Sequence, residues 1–238
     1  MSSVGCRTMA LVSVAALLMV VAIVLVFAVA PEPVNLATPA ERFAQRIFYF
    51  HVPNWWVGFL AFLVGAVAGV LYLTSGREKW DVIGVSSIEI GLTFTTIGLI
   101  TGSIWARPTW NTWWTWEPRL TTAAVGWLMY LAYLMLRSAI DNPERRARLA
   151  AVFSIVAFLD VPVVFMAIRW WRTIHPVVIG SGGEQAVGGF AMGPTILTVF
   201  FFCLVLFTLL YVVLMLLRTR TEFLSRRVEH LRQQIMFR

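Results

Sequence analysis

The chain has 238 residues, of which 59% are hydrophobic and only 13% charged, and a formal net charge of +7. A soluble domain of this length could not hide so much apolar surface, which excludes an ordinary globular protein and makes hydropathy the first thing to read. No P-loop pattern and no CxxC motif occurs, so the sequence offers neither an ATPase of its own nor a thiol-redox centre.

Six apolar stretches are long enough to cross a bilayer core, which takes roughly 20 helical residues. They fall at about 9–30, 52–73, 84–104, 119–137, 149–168 and 194–217, and predict one all-α polytopic membrane domain over residues 1–238. Arg7 precedes the first stretch and Ala28-Val29-Ala30 resembles a signal-peptide cleavage site. The apolar run is too long for a typical signal peptide and Pro31 would follow the cut, so the segment is expected to stay as a membrane helix.

In the segment that follows, Thr38, Pro39 and Glu41 predict a helix start with a capping box. Phe43, Ile47 and Phe50 share one face and Arg42, Arg46 and Tyr49 another, which suits a short helix lying in the membrane interface. Pro53 disfavours helical geometry at Val52, so a break is expected near His51, with the imidazole pointing outward. The third stretch carries Glu89. After it, residues 105–118 form a connection, and the stretch 109–122, "TWNTWWTWEPRLTT", places four tryptophans within seven positions. Glu117 and Pro118 suit the start of the fourth span; Glu117 can cap that helix, with Arg119 beside it as an ion-pair partner. Asp160 lies in the fifth span, where Pro162 predicts a kink. Acidic groups at such depth are functional hypotheses by default, and a hydrogen bond between helices is the plainer reading. Residues 218–238 form a basic tail. Cys6 and Cys203 are too far apart in the topology to suggest a disulfide framework.

Of the nineteen Lys and Arg residues, thirteen fall on one side of the six-span arrangement and six on the other. The positive-inside rule makes the richer side cytoplasmic, so both termini are expected inside. Three connections then face outward, at about 31–51, 105–118 and 169–193. His51, the tryptophan strip and His175 lie one in each. Nine of the eleven tryptophans sit at or near that face, more than interfacial anchoring at both membrane surfaces requires.

Two imidazoles can fill the two axial positions of a haem iron. Indole planes match a flat apolar macrocycle, and arginine forks match two propionate carboxylates. A zinc site would need further ligands nearby, and a nucleophile for covalent catalysis is missing from this face. Haem is the ligand class that uses all three residue types together. Two other readings stand beside simple haem handling. One is a bis-histidine haem b redox subunit exchanging electrons with a quinone. The other is a haem permease, for which Glu89 and Asp160 would line a path.

The strip "WNTWWTWEPRLT" resembles the tryptophan-rich signature of the haem-handling proteins of cytochrome c assembly. Length and six spans are most similar to the haem exporter protein C (CcmC) family within that group. "RIFYFHVP" and "LDVPVVFMAIRWWRTIHP" resemble its flanking histidine segments, so that the likeness runs from about residue 40 to 180. The resemblance implies that His51 and His175 are axial ligands of a non-covalently bound b-type haem. It implies that Trp110, Trp113, Trp114 and Trp116 form a platform for the porphyrin. Arg46 and Arg119 match family arginines and become candidate propionate contacts, with Glu117 as the motif's acidic residue. It further implies a haem-delivery protein of the bacterial or archaeal cytoplasmic membrane rather than an enzyme, passing haem to the chaperone CcmE beside the ABC-type components CcmA and CcmB and the small subunit CcmD. Two positions depart from the family motif: Asn111 where glycine is usual, and Glu117 where aspartate is usual.

Overall fold

In a computed structural model, the structure describes residues 3–33, 36–171, 173–176 and 192–236, with side chains from Thr8 onward. The described residues are helical and connecting segments only. α1 spans Ser3–Val24 and ends in a π-turn at Leu25–Val29. α2 spans Pro39–Ala44, and a 3₁₀ turn at Gln45–Ile47 joins it to α3, Phe48–Ser75. α4 covers Glu78–Trp110, α5 Pro118–Ser138, α6 Pro143–Phe158, α7 Asp160–Trp170 and α8 Pro194–Met236. Six of the resulting helical segments are long and apolar enough to cross a membrane: Thr8–Val29, Pro39–Ser75, Glu78–Trp110, Pro118–Ser138, Pro143–Trp170 and Pro194–Met236.

Three helix starts use the same local chemistry, a side-chain acceptor followed by proline at the first helical position. Thr38 Oγ1 accepts from Glu41 N at 3.1 Å, Glu117 Oε1 from Leu120 N at 3.0 Å, and Asn142 Oδ1 from Arg145 N at 2.9 Å. Each satisfies one of the amide donors that a helix leaves without an internal partner. Glu41 reaches back as the capping box requires, but to the amide of Ala37 at 3.1 Å rather than to that of the cap residue.

α3 is the centre of the bundle and packs along α4, α6 and α8. Gly84, Gly91 and Gly98 recur every seven residues on α4, against Ala68, the Ala61–Phe62 pair and Trp55 of α3. Small residues at this spacing let two membrane helices approach closely, where lipid gives no hydrophobic drive to hold them. Phe62 also stacks on Tyr130 of α5.

The break expected near His51 is absent. α3 runs unbroken through Pro53, and the irregular turn lies upstream at Gln45–Ile47. Pro53 lies inside the helix, where it removes one backbone hydrogen bond to the preceding turn without ending the helix. The segment read as a separate interfacial helix is therefore nearly continuous with the second span. The tryptophan connection is shorter than 105–118, because α4 continues to Trp110 and leaves only residues 111–117 outside helices. Where a kink is expected from Pro162, the helix is interrupted for one residue: α6 ends at Phe158, Leu159 turns, and α7 starts at Asp160. The tail continues α8 as helix to Met236.

At the end of the bundle remote from the tryptophans, charged side chains link three helices. Glu89 of α4, which lacked an identifiable partner in the sequence, receives Arg218 of α8 through two hydrogen bonds of 2.6 and 3.0 Å. Arg218 also pairs with Glu222 at 3.0 Å, Glu222 with Arg226 at 2.9 Å, and Arg226 with Asp81 at 2.7 Å. Asp81 in turn holds Arg137 of α5 in a buried two-bond pair, at 2.6 and 3.1 Å. Every member has a partner of opposite charge, the condition under which ion pairs are tolerated out of water.

Candidate functional site

His51 lies in the first turn of α3 and is 7% exposed. Its ring does not point outward as expected; it faces α4. Gly102 makes room for it: a Cβ there would lie 2.9 Å from His51 Cε1. Trp55, one turn along α3, and Trp105 of α4 frame the imidazole, with ring centroids 6.4 and 5.8 Å away, both edge-on. His51 Nδ1 stands 3.1 Å from Thr101 Oγ1. That hydroxyl donates its single proton to the carbonyl of Ile97 at 2.8 Å. It can only accept from the imidazole, so Nδ1 carries the proton and Nε2 keeps a free lone pair.

His175 follows α7, whose last residue is Trp170. Its Nδ1 lies 3.0 Å from the carbonyl oxygen of Pro176, which is an acceptor only. This ring too is protonated at Nδ1 and free at Nε2. Burial, with Arg119 and His51 as further cationic influences, pushes the His175 pKa down to about 3. The imidazole is therefore neutral, the form that can bind a metal.

Both histidines line one cavity of about 280 Å³. Trp110 and Trp114 from the strip line it as well, with Arg119 and Arg169. Trp110 sits 6.3 Å from the His175 ring. The indole N–H of Trp114 is buried with no hydrogen-bond partner among the described residues. Arg119 donates to the carbonyl of Val164 and stands 5.7 Å over the Phe165 ring. It forms no ion pair among the described residues, so the expected Glu117–Arg119 pair is not made. A cation and an unpartnered N–H beside an aromatic-lined space suit a flat apolar ligand that carries carboxylates.

The other predicted residues are placed differently. Trp113 and Trp116 are 57% and 77% exposed and do not line the cavity. Arg46 is also apart: it lies 3.9 Å from Glu32 and over the rings of Phe27 and Phe43. Glu117 caps α5, as anticipated, and its Oε2 accepts from the hydroxyl of Thr173. Asn111 adopts the left-handed conformation, φ 55°, and Arg107 bonds to its carbonyl and side-chain oxygens at 2.6 and 2.9 Å. Asparagine is the residue after glycine that best accepts this geometry, which accounts for the departure from glycine. Thr101 and Gly102 were not singled out in the sequence, and Trp55 and Trp105 were counted only among the nine outer tryptophans. Their signal was available as helical spacing: Trp55 is four residues from His51, and Thr101 is four from Trp105. Arg172, counted among the outer arginines, lies outside the described residues.

Among the described residues no group of three or more His, Cys, Asp or Glu side chains could hold a metal ion. The pair of Nε2 atoms suits instead a metal whose equatorial ligands arrive with it. Six spans and this indole-lined pair of imidazoles define a multi-pass membrane protein of the haem-handling class. The sequence profile described as "Heme exporter protein C" matches residues 2–234, and the chain belongs to the haem exporter protein C family. It is 36% identical to the heme exporter protein C of Bradyrhizobium diazoefficiens over 186 residues, 78% of this chain and 69% of that protein. Identity to the Rhodobacter capsulatus protein of the same name is 32% over 191 residues, 79% of this chain and 77% of the relative. For the Escherichia coli K12 protein it is 33% over 134 residues, 56% and 54% of the two chains. The chain is thus a multi-pass inner-membrane protein with a role in haem handling for cytochrome c maturation.

Proposed function

We propose that the protein holds haem, as cargo, at the outer face of the membrane and presents it to the chaperone CcmE. His51 and His175 supply the two axial nitrogens. Trp110 and Trp114 pack against the macrocycle, while Arg119 and the Trp114 N–H receive its carboxylates. The bound group supplies an iron that accepts two imidazoles, and association is non-covalent. The exposed Trp113 and Trp116 extend the apolar shelf to the rim, where a partner can reach it. CcmA, CcmB and CcmD act alongside as an ABC-type system that releases the loaded chaperone.

One observation carries this reading. Two histidines from distant parts of the chain line one cavity, each with Nδ1 at hydrogen-bond distance from an oxygen, Thr101 Oγ1 for His51 and the Pro176 carbonyl for His175. The test is the optical spectrum of purified, haem-loaded protein beside His51→Ala and His175→Ala. A bis-imidazole spectrum lost in both variants is expected. Its survival in either one removes that histidine from the ligand pair.

A further inference from the structure

Glu117 is used twice. One carboxylate oxygen caps α5, and the other accepts the proton of the Thr173 hydroxyl. Thr173 is 2% exposed, and its Oγ1 accepts the backbone N–H of His175 at 3.0 Å. The hydroxyl is thereby fixed in both roles, donor to the carboxylate and acceptor from the amide. Among its described neighbours, Trp171 and Ile174 are exposed. His175 itself lies beyond the last turn of α7, where no helix sets its backbone.

We propose that Glu117 and Thr173 form a latch that positions His175 for the iron. Both are positioning residues. Neither touches the cargo; they fix the backbone on which the ligand is mounted. The latch also joins two parts of the site, because Glu117 ends the tryptophan loop. A partner that shifts the loop draws on the same carboxylate that holds the ligand segment. This inference rests on the assignment of His175 as an axial ligand, but the latch itself can be tested without haem.

Thr173→Val removes both hydrogen bonds at nearly constant volume and leaves the α5 cap intact. In haem-free protein, modification of His175 by diethyl pyrocarbonate, read by mass spectrometry, should accelerate about fivefold, the ratio that one net hydrogen bond sets. Modification of His51 should not change, and Thr173→Ser should restore the wild-type rate. Equal rates at His175 in wild type and Thr173→Val overturn the latch whatever binds there. Glu117→Gln, which keeps a capping oxygen, should accelerate His175 in the same way; equal rates again overturn it. In loaded protein, Thr173→Val should show the spectrum of His175→Ala, and Thr173→Ser that of wild type. A wild-type spectrum in Thr173→Val, or loss of haem binding that His175→Ala does not share, also overturns the latch. A wild-type spectrum in His175→Ala defeats the ligand assignment, separately from the result in haem-free protein.

Discussion

Gly102 has no side chain where His51 needs space. A methyl group there would meet the imidazole at 2.9 Å, closer than carbon atoms pack, so the ring must move. Gly102→Ala should therefore lose the bis-imidazole spectrum while helix content by circular dichroism stays unchanged; an unaltered spectrum would contradict the packing described. The four tryptophans of the strip divide by exposure into two experiments. Trp114→Ala, inside the cavity, should weaken haem retention. Trp113→Ala with Trp116→Ala, at the rim, should keep retention and slow transfer to the chaperone; equal effects on both assays would erase the distinction. His175 sets a pH dependence. Its pKa in the fold, about 3, lies below the unfolded value of about 6.5. The stabilising effect is full above pH 6.5 and is lost as pH falls towards 3, because the unfolded chain takes up a proton that the fold resists. The haem-free protein should lose thermal stability across that range, and His175→Gln should lose less; parallel curves would argue against a buried neutral imidazole.

At the level of helices, hydropathy located every span but not every helix end. The first span, read as 9–30, is helical over Thr8–Val29, and the fourth, read as 119–137, is helical over Pro118–Ser138. The second begins thirteen residues early and the sixth runs to Met236. Apolarity reports where lipid lies, whereas a helix stops where its hydrogen bonds stop. Thr38, Pro39 and Glu41 gave the true start of the second helix, and Pro53 misled because a helix packed on three neighbours carries on through a proline. The site was legible in its histidines and in half of its strip, Trp110 and Trp114. Arg46 was assigned by motif alone. Arg46 sits in the 3₁₀ turn before α3, and its guanidinium lies over Phe27 and Phe43 instead of at the cavity that His51 faces. Thr173 lay hidden because the hydroxyl matters only through Glu117, a contact between distant segments. Asn111 yields a test of the loop it begins. Asn111→Gly should leave stability unchanged and Asn111→Ala should cost about 1 kcal/mol, the penalty for a Cβ in left-handed backbone. A thermal midpoint equal in all three would show that the turn is not held as described.

Across the whole molecule, the two ends of the bundle are joined by different forces. Asp81 meets both Arg137 and Arg226 at one end, and Arg137 is buried. Asp81→Ala would leave that guanidinium without a carboxylate, and breaking a buried pair in this way costs about 3–5 kcal/mol. A thermal midpoint in detergent close to wild type would show the pair to be dispensable. The cavity end has no ion pair between α5 and α8 among the described residues. The ionic ladder thus closes one end of the bundle like the spring of a clothes-peg, and the cavity lies at the other end. Any gape wide enough to admit or release a porphyrin would rock α5 and α7 about Asp81 rather than slide them. Backbone amides should then exchange with deuterium fastest beside the tryptophans and slowest beside Arg137; the reverse gradient would place the hinge elsewhere.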